Sequence, residues 1–147
     1  MRKLNEVWHA YELADAYLRE KHSAARSPAG KAKWALLRHI SAQAYFVMLF
    51  ACLEDRVDQL CAKLIARKRG QKSWRQRRLW DTVDLERTDF MRKVALLADK
   101  GEPDYARVKG LYATRCEIAH GDFPPVGSIV LPSLYSEIVR LWKALRP

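Results

Sequence analysis

The sequence predicts an all-α protein, a bundle of about five helices around one long central helix. Three observations carry this. Apolar residues recur at spacings of three and four over most of the chain. Gly, Pro and Ser cluster in short stretches that separate those segments. No stretch alternates apolar and polar residues long enough for a strand; Ser128–Ile129–Val130 is extended at most. With 147 residues and 49% hydrophobic content, one folded domain over 1–147 is expected.

The first helix is predicted over 3–25, with Leu4, Val7, Trp8, Tyr11, Ala14 and Leu18 on one face. His9 and His22 fall on its polar side. Ser27–Pro28–Ala29–Gly30 reads as a loop. The long helix follows, from Lys31 to about Arg67, with a break expected near Ser41 because so long a helix is uncommon. From Ala42 to Leu53 it is apolar nearly all round, which suits either the core of one chain or a face shared with a second copy. Phe50, Leu53, Val57, Leu60, Cys61 and Leu64 then form a clean stripe, with Glu54 near its edge.

The segment 63–80 carries eight Lys or Arg and no acid, and reads as a basic loop or short helix. A third helical pattern covers 81–100, with Leu85, Phe90, Val94 and Leu97 apolar. Gly101–Glu102–Pro103 turns into a late helix for which Asp104 is the expected cap. Residues 121–132 form a Pro- and Gly-rich loop, and Ser133 is expected to cap a last helix with Leu134, Ile138, Leu141, Trp142 and Leu145 on one face.

The charge narrows the partners. A net charge of +10 and a pI near 9.8 favour a polyanion. Within 63–80, Arg67, Lys68, Arg69, Lys72, Arg75, Arg77 and Arg78 are candidates for phosphate neutralisation, and Trp74 for stacking on an unpaired base. The alternative is a solvated basic loop whose tryptophans pin it to the core. No uninterrupted apolar run reaches the ~18 residues of a membrane span, and MRKLNEVWHAYE lacks the apolar core of a signal peptide, so a cytoplasmic protein without a membrane partner is expected. Three cysteines on helical patterns read as reduced, buried thiols. Neither CxxC nor HExxH occurs, so neither a metal site nor a cofactor is predicted.

The late helix, YARVKGLYATRCEIAHG, holds the chemistry. Val108, Leu111, Tyr112, Cys116, Ile118 and Ala119 share an apolar arc, and Arg115 falls in its middle. No residue three or four positions away can neutralise that guanidinium. A partner from elsewhere is required, since an unpaired buried charge is strongly unfavourable. Glu54 is the candidate, either orienting Arg115 for catalysis or forming a plain inter-helix salt bridge. His120 ends the helix and Gly121 terminates it. Arg115 and His120 point about 140° apart on an ideal helix, so the imidazole reaches the arginine's side only at a helix end.

Arg115-x4-His120 followed by Gly121 resembles the signature of the HEPN superfamily. The resemblance implies a HEPN-like helical bundle that forms a homodimer, with two copies of the motif composing one ribonuclease site at the interface. RNA is the implied partner, with an antitoxin or other regulatory protein as a second, in a toxin or defence setting. Imidazole suits proton transfer near neutral pH, and the guanidinium fork suits a developing phosphorane. Such chemistry needs no metal, because the neighbouring 2′-OH is the nucleophile. Two departures stand out: Cys116 follows the arginine where many relatives have a polar residue, and Asp122 stands where some carry tyrosine. The motif admits another reading in which arginine and histidine merely pack the helix end. An RNA-binding or protein-interaction adaptor domain is then the alternative function.

Overall fold

A computed structural model describes residues 1–121 and 129–147. Among them are six helices: α1 (Arg2–Ala24), α2 (Pro28–Arg69), α3 (Trp74–Asp81), α4 (Phe90–Ala95), α5 (Pro103–His120) and α6 (Leu131–Ala144). No described residue lies in a strand. The all-α architecture with a long central helix therefore holds, with six helices where about five were expected.

α2 is one unbroken helix of 42 residues, about 63 Å at 1.5 Å per residue. The break expected near Ser41 is absent: no Gly or Pro interrupts 31–69, and Ala42, Gln43, Phe46, Leu49 and Phe50 are buried in sequence along it. Its start lies inside the stretch read as a loop, because Ser27 Oγ accepts the Gly30 N–H at 3.0 Å and caps the first turn. By length and composition α2 could cross a membrane, although its apolar window is interrupted by polar residues and partly buried within the fold.

The helix expected over 81–100 is mostly not helical. Only Phe90–Ala95 winds as α4. Before it, short polar side chains take the backbone's hydrogen bonds for themselves. Asp84 Oδ1 accepts the Glu86 N–H, and Thr88 Oγ1 donates to the Asp84 carbonyl. Asp89 then caps α4 by accepting the Arg92 N–H at 2.9 Å.

Two expected caps also move. Pro103 occupies the first position of α5, where its missing N–H costs nothing. Asp104 is therefore inside the helix, and its carboxylate pairs with Arg140 at 2.7 Å. Ser133 lies inside the first turn of α6, its N–H bonded to the Val130 carbonyl.

The chain forms two compact units, Met1–Cys52 with Tyr112–Val139, and Leu53–Leu111 with Arg140–Pro147. In the first, Trp8 of α1 stacks on Tyr135 of α6 with ring centres 4.2 Å apart, and Tyr135 Oη donates to Asn5 Oδ1. Asp15 joins α1 to α2 by accepting from Arg38 Nε and Arg19 at 2.9 Å each. Burial and the adjacent Asp15 carboxylate push the Tyr11 phenol above its ordinary range. Phe46, Leu49 and Phe50 lie wholly inside, with Phe50 in ring contact with Tyr112 of α5 at 6.1 Å.

In the second unit, Lys93 Nζ meets Asp58 at 2.9 Å, and the Cys61 thiol donates to the Lys93 carbonyl at 3.3 Å. Arg56 lies over the Trp142 ring at 5.6 Å. Cys52 and Cys61 are buried free thiols as expected, whereas Cys116 is only half-buried. Burial pushes the Cys61 thiol up to about 11, with the Asp58 charge adding to it. A raised thiol value means the folded state holds the proton harder than the unfolded chain. Its contribution to stability is thus present at neutral pH and fades as pH climbs from about 9 to about 11. Cys61→Ala should flatten that alkaline part of the stability profile, and native Cys61 should resist iodoacetamide at pH 8 while the unfolded chain reacts. Rapid alkylation of the folded chain at Cys61 would contradict this.

Candidate functional site

The end of α5 is built as the spacing demands. Val108, Leu111 and Ile118 are buried, and Arg115 stands between Leu111 and Ile118 on that line. The Arg115 side chain is half-buried, with its Nε fully enclosed. Arg115 is engaged in interactions within the fold, as is Glu54. Ala119, expected on the apolar arc, is exposed.

His120 is the last helical residue and is exposed. Gly121 ends the helix at φ 87°, with its N–H bonded to the Ile118 carbonyl at 3.1 Å. This left-handed conformation is open to glycine and strained for a residue with Cβ. A Cβ at Gly121 would meet nothing within 4 Å, so strain alone governs a substitution. Gly121→Ala should lower stability by about 1 kcal/mol, read as a shift in the urea midpoint. Asp122, Phe123 and the rest of 122–128, including most of the predicted Pro/Gly loop, lie outside the described residues.

Arg115 and His120 belong to the first compact unit. Glu54 belongs to the second, half-buried beside Leu53 and Val57 on the stripe of α2. The basic segment lies entirely in that second unit.

Within the basic segment, the eight-residue α3 buries none of its side chains. Trp74 is 60% exposed, so it does not pin the segment to a core; the Arg78 guanidinium lies 5.3 Å from its ring centre. Trp80 is half-buried, with Lys68 Nζ 5.8 Å from its ring. Two of the predicted phosphate ligands hold backbone instead. Arg69 donates from Nε to the Trp80 carbonyl at 2.9 Å and from a terminal nitrogen to Val83 O at 2.8 Å. Arg77 donates to Lys72 O and approaches Asp81 at 3.8 Å. Arg67, Lys72 and Arg75 are exposed, as is Arg78 beside the Trp74 ring.

Sequence reasoning missed one feature of this unit. A cleft of about 510 Å³ runs between Ile65, Ala66 and Arg69 of α2 and the turns from Asp81 to Glu86. It could not be seen while 81–100 was read as helix. Asp81, Asp84 and Glu86 outnumber Arg69 in its lining, which disfavours a phosphate there. Among the described residues no three His, Cys, Asp or Glu side chains are placed to hold a metal ion together.

The fold and these sites define a class, a small basic all-α protein. Set against protein families, curated proteins and solved structures, the chain matches none of them.

Proposed function

We propose that this protein is a metal-independent endoribonuclease of the HEPN type, acting as a homodimer with the Arg115–His120 ends of two α5 helices forming one site. The carrying observation is the helix end itself: Arg115 half-buried on the apolar line, and an exposed His120 at the last helical position before Gly121. In this mechanism His120 takes the proton from the 2′-OH of the nucleotide before the scissile bond. The oxygen attacks the adjacent phosphorus, and Arg115 stabilises the charge that develops on the phosphorane oxygens. The P–O5′ bond then breaks, the leaving 5′ oxygen takes its proton from the imidazolium, and the products are a 2′,3′-cyclic phosphate and a 5′-hydroxyl. A toxin or defence effector, restrained by an antitoxin or other regulatory protein, is the setting that fits such an activity.

The exposed Trp74 and its cationic surroundings support RNA capture in the same account. Replacing Lys72, Arg75 and Arg78 together with alanine should weaken RNA binding about uniformly across sequences. It should also flatten the dependence of log Kd on log salt by roughly two units. An unchanged salt slope would remove this surface from the RNA path.

The same surface also favours a second reading, an RNA-binding domain without catalysis. Labelled RNA incubated in EDTA with the wild-type chain and with His120→Ala separates the two. Cleavage by the wild type alone, with both proteins binding RNA, supports the nuclease. Binding by both with cleavage by neither supports the adaptor.

A further inference from the structure

α2 carries an uncharged apolar face that the fold leaves open. Leu37 is 37% exposed, Ile40 43% and Met48 50%; Ala44 and Ala51 are exposed as well. Their spacings of three, four, four and three put them within about 80° of arc on an ideal helix. The opposite side of α2 is filled by Phe46, Leu49, Phe50 and Leu53, all wholly buried. This is therefore not a core stripe waiting for its own chain. Between Trp34 and Leu53 the only permanently charged side chain is Arg38, already held by Asp15.

The order of residues on this face is symmetrical about Ala44. Ile40 and Met48 stand four positions on either side, Leu37 and Ala51 seven, and Lys33 and Asp55 eleven. Lys33 and Asp55 are both exposed.

We propose that this face receives a second copy of the same chain, the two α2 helices running antiparallel about a two-fold axis at Ala44. In that register Ala44 faces Ala44, so the backbones approach closely where the axis passes. Ile40 meets Met48 of the second copy, and Leu37 meets the small Ala51. Lys33 meets Asp55 at both ends, whereas a parallel pairing would set Lys33 against Lys33. Two molecules of charge +10 repel at most orientations. An uncharged face closed by opposite charges is where that repulsion is least. The inference stands on α2 alone: α5 packs on the Phe50 side of α2 through Tyr112, away from this face, so the seam is independent of the proposed site.

Cysteine linking tests it. Ala44→Cys in a Cys116→Ser background should give mostly disulfide-linked dimer under mild oxidation. Ile40→Cys and Met48→Cys chains, each largely unlinked alone, should link to one another when mixed. Ile40→Glu, at an exposed position, should keep its circular dichroism and sediment as a monomer. Ala44→Cys that stays unlinked, or an Ile40→Glu chain that remains dimeric, overturns the proposal. So does flotation of the wild-type chain with phosphatidylcholine vesicles, which would make a bilayer the occupant. Linking is read without RNA, so it fails or succeeds independently of the nuclease. If Ile40→Glu is monomeric yet still cuts RNA, the seam stands and the composite site falls.

Discussion

Replacing Arg115 with alanine is expected to lower RNA cleavage by about 10²- to 10³-fold, the usual loss when one donor to a developing oxyanion is removed. The reason is positional. Arg115 has its Nε enclosed and its side chain half-buried on the line that buries Leu111 and Ile118. A guanidinium held this way needs no reorganisation when charge develops next to it. The loss should fall on kcat rather than on KM, because ground-state RNA binding is assigned to α3 and its neighbours in the proposed function. Arg115→Lys keeps the charge but not the planar fork, and should recover only part of the rate. Single-turnover cleavage with saturating protein reads both effects. An Arg115→Ala chain that cuts at the wild-type rate would reduce the arginine to a packing role.

The largest effect on stability should come from Phe50→Ala, about 3–5 kcal/mol. Phe50 is wholly buried and in ring contact with Phe46 at 6.2 Å and with Tyr112 at 6.1 Å. It thus fastens α2 to the stretch of α5 one turn before Arg115. Removing the ring leaves a cavity in the first unit and loosens the platform of the motif, so activity should fall even where the chain stays folded. Leu36→Ala, also on α2 but half exposed and outside the Ala44 seam, should change stability by no more than about 0.5 kcal/mol. Urea midpoints for the pair check the contrast. Similar midpoints would mean that the buried and exposed positions of α2 are not divided as described.

The helices were legible where burial repeats every three or four residues, as in α1, α5 and α6. The pattern over 81–100 misled because Leu85, Phe90, Val94 and Leu97 keep a helical spacing although Asp84, Thr88 and Asp89 capture the local backbone. Periodicity reports which side chains are apolar, not whether their amides are free to bond along a helix. Ser41 gave no break because length alone does not bend a helix; a kink needs Pro, Gly or an inserted group. At the site, the position of Arg115 on a buried line and the stop at Gly121 followed from spacing and glycine chemistry. The duties of the basic side chains did not. Composition cannot distinguish Arg69, which binds two carbonyls 11 and 14 residues on, from Arg75, which faces solvent. Nor could it supply Asp15–Arg38 or Asn5–Tyr135, whose partners are 23 and 130 residues apart.

The central claim is that the end of α5 moves a proton off a ribose hydroxyl and stabilises the phosphorane that follows. A short RNA in EDTA, compared with the same strand carrying a single 2′-deoxy nucleotide before the cut site, tests it most directly. The wild-type chain should leave a 2′,3′-cyclic phosphate on the RNA and spare the deoxy strand at that position. Cutting at the deoxy position, or products ending in a 5′-phosphate, would contradict the mechanism.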